Sequence, residues 1–114
     1  MNVTSHPSLH ELAAKAGAAS AMLKALANEQ RLLILCHLVS EGELSVGALG
    51  ERMQLSQSAL SQHLARLRED GLVTFRRESQ TLHYRVLDPK AEQVLELLRD
   101  LFCPNLMPEK PFQC

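Results

Sequence analysis

Leu55-Ser56-Gln57-Ser58-Ala59-Leu60-Ser61-Gln62-His63-Leu64-Ala65-Arg66-Leu67-Arg68-Glu69-Asp70-Gly71 carries a short helix with both its start and its stop marked. Ser56 suits the N-cap position, where its hydroxyl accepts from a first-turn backbone N–H that has no intrahelical acceptor. Leu60, Leu64 and Leu67 recur at spacings of four and three and form one inward face. Gln57, Ser58, Ser61 and Gln62 fall on the opposite face near the N-terminal end. They are small or hydrogen-bonding, as a helix end entering a DNA major groove requires. Gly71 closes the segment with the residue that best tolerates a left-handed cap. Taken alone, the stretch reads equally well as an amphipathic surface helix. Its neighbours decide between the two.

Upstream, residues 44–53 form a short helix capped by Ser45, with Val46, Leu49 and Met53 inward. A tight break at Gln54-Leu55 leads to Ser56, and two helices joined this way make a helix-turn-helix. Beyond Gly71 the period changes from helical to alternating. Residues 72–77 and 81–86 read as paired strands around Glu78-Ser79-Gln80. A helix-turn-helix followed at once by a hairpin carrying Arg76, Arg77 and Arg85 is a winged helix. Its hairpin can meet phosphates while the helix sits in the groove. Candidate DNA contacts are Ser56, Gln57, Ser58, Ser61, Gln62, His63, Arg66, Arg76 and Arg77, with His63 beside the reading face.

The other segments are helical. Residues 8–27 are alanine-rich, with Leu12, Ala16, Ala19, Leu23 and Leu26 available for packing. Asn28 caps residues 29–40, whose inward stripe is Leu32, Leu35, Cys36 and Val39. Asp88-Pro89 starts the last helix, where Ala91, Val94, Leu95, Leu98, Leu101 and Phe102 recur at helical spacing and Leu97 widens the apolar face. The expected fold is mainly α with a β-hairpin wing, a winged helix-turn-helix in the order α-α-α-α-β-β-α. It forms a homodimer through its first and last helices and reads an inverted-repeat, double-stranded operator. The expected division is a flexible N-terminus at 1–7, the winged helix-turn-helix dimerising domain at 8–103 and a flexible tail at 104–114.

Composition narrows the function. With 114 residues, 46% of them hydrophobic, the chain supports one domain with a modest core. A formal net charge of -1 argues against a bulk polycation. Charge is nonetheless uneven. Arg52, Arg66, Arg68, Arg76, Arg77 and Arg85 outnumber Glu51, Glu69, Asp70 and Glu78 in the proposed DNA-facing region, while Glu11, Glu41, Glu43, Glu92, Glu96 and Asp100 lie elsewhere. Residues 1–7 lack the basic start and apolar run of a signal peptide. The longest apolar run, 32–39, is interrupted by His37 and too short to span a bilayer. A cytoplasmic location is expected, where the three cysteines rest as thiols. A small thiol redox enzyme is disfavoured: there is no Cys-x-x-Cys, no glycine-rich phosphate loop and no strand–helix alternation. No catalytic residue, cofactor or metal site is expected, because His6, His10, His37, His63 and His83 are scattered without a ligand pair.

The runs Ala25-Leu26-Ala27-Asn28-Glu29-Gln30-Arg31-Leu32-Leu33-Ile34-Leu35, Glu43-Leu44-Ser45-Val46-Gly47-Ala48-Leu49 and 55–64 resemble the ArsR/SmtB family of small dimeric bacterial repressors. The resemblance covers nearly everything from Ala25 to Cys103 and implies a sequence-specific transcriptional regulator. Within the family the chain is similar to the thiol-sensing branch of persulfide-responsive repressors and haemolysin regulators. That branch carries one cysteine in the helix after the Ala-Asn-x-x-Arg motif and another at the end of the last helix. Here these are Cys36 and Cys103, and the resemblance implies that oxidation or polysulfide bridging of the pair switches operator binding, with reactive sulfur or an oxidant as inducer.

Metal sensors of the family place Cys-Val-Cys before the recognition helix. This chain has Ser45-Val46-Gly47 there and so lacks those soft ligands, and its last helix has Glu92, Glu96 and Asp100 but no histidine. By spacing alone Cys36 also fits a small buried hydrophobe, whereas Pro104 leaves Cys103 at a fraying helix end. Cys114 has no counterpart in the branch pattern. It stands as an accessory thiol, or as the third thiolate with Cys36 and Cys103 in an alternative metalloid or soft-metal sensor.

Overall fold

Four side-chain caps set the helix starts in this computed structural model, which describes residues 7–103. Asn28 accepts from the Arg31 N–H (3.1 Å), Ser45 from Ala48 (3.1 Å), Ser56 from Ala59 (3.2 Å) and Asp88 from Lys90 (2.9 Å). Each satisfies a first-turn donor and fixes where the chain turns helical. The elements are α1 (Pro7–Ala14), α2 (Ala16–Leu26), α3 (Glu29–Glu41), β1 (Leu44–Ser45), α4 (Val46–Met53), α5 (Gln57–Glu69), β2 (Val73–Glu78), β3 (Thr81–Val86) and α6 (Pro89–Phe102). The winged helix-turn-helix expected from the sequence is present. The flexible ends expected at 1–7 and 104–114 lie outside the described residues except for Pro7.

The core is one cluster at the junction of α3, α4, α5, α6 and the sheet. Ile34, Leu35 and Leu38 come from α3, Leu49 from α4, Leu60, Leu64 and Leu67 from α5, Leu72 and Val73 from the hairpin root, and Ala91 and Leu95 from α6. At the end of α5, Gly71 takes φ 75° and donates to Arg68 O (3.0 Å), while Leu72 N donates to Leu67 O (2.9 Å). These two bonds form a Schellman cap, and its accompanying apolar contact joins buried Leu67 and Leu72. Recognition helix and hairpin therefore share a rigid corner.

Four details differ from expectation. The single first helix is two, broken at Lys15 (φ -107°, ψ 8°) within a stretch exposed on all sides, where no packing holds a continuous helix straight. Leu44 and Ser45, read as the start of a helix, form a third strand opposite Tyr84 and His83, giving the sheet order β1-β3-β2. The hairpin turn is Ser79-Gln80 alone, with Ser79 at φ 56°. On α3 the buried stripe is Ile34, Leu35 and Leu38, with Leu32, Cys36 and Val39 half-buried at its edge.

Candidate nucleic-acid interface

Helix α5 presents two unlike faces. Leu60, Leu64 and Leu67 are buried, while Gln57, Ser58, Ser61, Gln62 and Arg66 are exposed and His63 is half-buried. Ser56 spends its hydroxyl on the Ala59 N–H and lies 3.4 Å from the Ser58 Oγ, so it shapes the helix end as well as sitting on it. Between α4 and α5 the chain reverses through Gln54, a non-glycine residue at φ 55° whose N–H donates to Gly50 O (3.0 Å). Sequence reading placed the break there without marking Gln54 as the left-handed residue.

The strand register sorts the wing residues. Val73, Phe75 and Arg77 share one face of the sheet with their cross-strand partners Val86, Tyr84 and Leu82. That face looks toward α5: the Phe75 and Tyr84 rings lie 5.3 Å apart, and the Arg68 guanidinium sits 4.3 Å over the Phe75 ring. Between α4, α5 and the wing lies a cleft of about 610 Å³, bordered by Gln57, Ser61 and Arg68 on the helix and by Gln80, Thr81 and Leu82 on the hairpin. Arg68 was not among the candidate contacts. Its cation–π seat on a wing residue, the signal that singles it out, exists only once helix and hairpin are packed.

Arg76 points the other way, with Glu78, Thr81, His83 and Arg85. Its Nε donates to both carboxylate oxygens of Glu43 (3.1 and 3.0 Å) and its Nη2 donates to Oε1 (2.9 Å). That bond holds the Glu43 carboxyl below the usual carboxylate range. The two neighbouring arginines expected to act together are thus separated by strand alternation. Arg77 stays on the helix side with no ion-pair partner among the described residues, while Arg76 is engaged behind the wing. Arg66 pairs with Asp70 (3.4 Å) and Arg52 with Glu41 (3.8 Å), so much of the local positive charge is already partnered by surface carboxylates.

The two thiols differ in setting. Cys36 is half-buried on α3 against the core, and burial pushes its thiol up to about 11. Beside it in sequence, burial and the Arg52 guanidinium hold His37 below the ordinary imidazole range. Cys103 caps α6, its N–H donating to Arg99 O (2.8 Å). Cys36 is a free thiol and Cys103 is engaged in a disulfide that does not involve Cys36, so the implied Cys36–Cys103 bond is not formed here. Their helices, α3 and α6, pack against one another. Cys114 lies outside the described residues. Among the described residues no three His, Cys, Asp or Glu side chains converge on a metal position, and no helix is long and apolar enough to cross a membrane.

Comparison with known proteins places this geometry. The profile described as "Bacterial regulatory protein, arsR family" matches residues 28–74, which run from the α3 cap through α5 into β2. The transcriptional activator HlyU of Vibrio cholerae is 52% identical over 95 residues, covering 83% of this chain and 87% of that protein. The chain belongs to the arsR family. The structure described as reduced HlyU from Vibrio cholerae superposes with a TM-score of 0.76 at 52% identity, covering 82% of this chain and 97% of that one. The transcriptional repressor BigR from Xylella fastidiosa gives 0.78 at 38% identity, covering 82% and 95%. The homodimeric winged helix-turn-helix DNA-binding domain Mb0332 from Mycobacterium bovis gives 0.69 at 31% identity, covering 78% and 82%. This arsR-family chain is a DNA-binding transcriptional regulator, and its relatives are regulators rather than enzymes.

Proposed function

We propose that this arsR-family regulator works as a homodimer that reads an inverted-repeat operator and lets go when its thiols are oxidised or bridged by polysulfide. The observation that carries the DNA reading is the exposed polar N-terminal half of α5, capped by Ser56 and backed by three buried leucines, beside a wing that adds Arg77. Gln57, Ser58, Ser61 and Gln62 read base edges; Arg66, Arg68 and Arg77 meet phosphates from either side of the helix–wing cleft. Exposed Leu12, Leu23, Leu97, Leu101 and Phe102 on α1, α2 and α6 supply the apolar surface a second copy covers, in keeping with the homodimeric Mycobacterium bovis relative. HlyU is named an activator and BigR a repressor, so the same act of binding serves either output, set by what else occupies the promoter.

The thiol reading rests on two cysteines on packed helices and on the chain's similarity to a regulator whose structure is described as reduced. Its starting state has both as thiols. Cys36, with its thiol pushed up to about 11, holds almost no thiolate at neutral pH, so Cys103 at the helix end is the first nucleophile. With peroxide, the Cys103 thiolate takes one oxygen to give a sulfenic acid and releases water. Cys36 then attacks that sulfur, loses its proton and releases a second water, leaving one S–S bond. With polysulfide, the Cys103 thiolate attacks a chain sulfur and expels a shorter polysulfide anion, leaving Cys103 Sγ–S–SH. The Cys36 sulfur then attacks the middle sulfur of that group, gives up its proton and expels hydrogen sulfide, so that one extra sulfur stays between the two cysteines.

Operator binding of reduced, peroxide-treated, polysulfide-treated and arsenite-treated protein tests this directly. The expected loss on thiol oxidation is about five- to 150-fold, the usual span of an allosteric coupling. Cys36→Ser and Cys103→Ser should each abolish it. Release that persists in Cys36→Ser sinks the thiol switch and leaves DNA binding standing. Release by arsenite alone favours the three-thiolate alternative; a relative 38% identical over 68% of this chain is named the arsenic resistance transcriptional regulator of Pseudomonas putida.

A further inference from the structure

Glu43 and Arg76 lie on the same face of the sheet but two strands apart. Glu43 immediately precedes β1, Arg76 is on the outer strand β2, and β3 runs between them. Two strand spacings are roughly 10 Å, so the ion pair crosses over β3 as a strap. Its geometry is the strong kind: three N–H···O bonds of 2.9–3.1 Å from one guanidinium to one carboxylate. Arg76 also lies 3.7 Å from Glu78, which in turn lies 3.5 Å from His83, the residue opposite Arg76 on β3. The strap matters because β1 holds β3 by only two residue pairs, Leu44–Tyr84 and Ser45–His83. Past that point the hairpin is a bare two-stranded ribbon, the arrangement most free to twist.

We infer that Arg76 is a positioning residue rather than a phosphate contact: strapped to Glu43, it fixes the angle at which the wing tip, and with it Arg77, meets the DNA. Glu43 is likewise a determinant of affinity, although it is acidic and lies behind the interface. The other end of the same segment reinforces the frame, since Glu41 at the end of α3 pairs with Arg52 of α4. The two parts of the reading head are thereby tied to the one connection that leaves α3.

The test uses an operator duplex selected by the wild-type chain from a random-sequence pool, titrated across salt concentrations. Arg76→Gln and Glu43→Gln should weaken binding by a similar factor, roughly two- to fivefold for an exposed pair. The slope of log K against log salt should stay at the wild-type value. The Glu43 result is the sharp one, because removing a negative charge near DNA would by electrostatics alone tighten binding. The charge-swapped double variant Glu43→Arg/Arg76→Glu should recover most of the affinity that Arg76→Glu loses, which also separates a lost strap from a misfolded wing. The inference is overturned if Glu43→Gln binds as well as or better than wild type. It is equally overturned if Arg76→Gln lowers the slope by the ~0.9 of one phosphate contact, or if the swap binds no better than Arg76→Glu.

Discussion

The reading head and the helical end of this molecule solve opposite problems. In the head, formed by α4, α5 and the hairpin, the leucines of α5 are at most 1% exposed and the outward residues are polar. At the other end, Leu12 is 58%, Leu23 60%, Leu101 65% and Phe102 78% exposed. The first region is complete within one chain; the second leaves apolar surface that a folded monomer has no use for. The division suits a dimeric regulator, whose two heads stay separately formed while their spacing is set elsewhere.

The largest effect should come from spoiling the incomplete end. Leu101→Glu, tested by sedimentation, should yield monomers, and affinity for a full inverted repeat should fall by about 10²–10⁴-fold as the second half-site contact is lost. Affinity for a single half-site should change little. A dimer that survives this change places the interface elsewhere. Leu64→Ala should instead strike the complete end, costing about 2–5 kcal/mol in chemical denaturation because the site is fully buried.

The pH behaviour of Cys36 separates the two thiols. With its thiol raised from 9.0 to about 11, roughly a hundredfold less thiolate is present below pH 9 than on a free cysteine, and alkylation should be slower by about that factor. The unfolded chain ionises near pH 9 while the folded one keeps its proton, so the neutral thiol's contribution to stability is present below pH 9 and lost as pH rises toward 11. Alkylation of Cys36 in the reduced protein as fast as that of a model thiol would mean the helix packing is looser than described. The smallest effect is at the cap: Ser56→Ala should cost about 1 kcal/mol through the lost bond to Ala59. It should weaken operator binding more than total stability if the first turn of α5 enters the groove.

How much was legible beforehand follows the range of the forces involved. The caps at Asn28, Ser45, Ser56 and Asp88, the Gly71 stop and the leucine stripe of α5 are local signals, and all appear as read. The break at Lys15, the two-residue strand at Leu44–Ser45 and the left-handed Gln54 were missed. Each depends on what the segment meets, or fails to meet, in space. The site divides the same way. Gln57, Ser58, Ser61 and Gln62 could be placed outward by helical periodicity alone, whereas the fates of Arg68 and Arg76 could not.

By itself, then, the chain's order of residues determined a helix-turn-helix with a wing and which face of α5 stays wet, because capping, turn chemistry and hydrophobic period act over a few residues. Only the folded arrangement decided that Arg68 rests on Phe75, that Arg76 turns back to Glu43 while Arg77 looks forward, and that partial burial raises the Cys36 thiol. Those outcomes join residues as far as 33 positions apart. Cross-strand register and burial, rather than any local preference, set the distances between them.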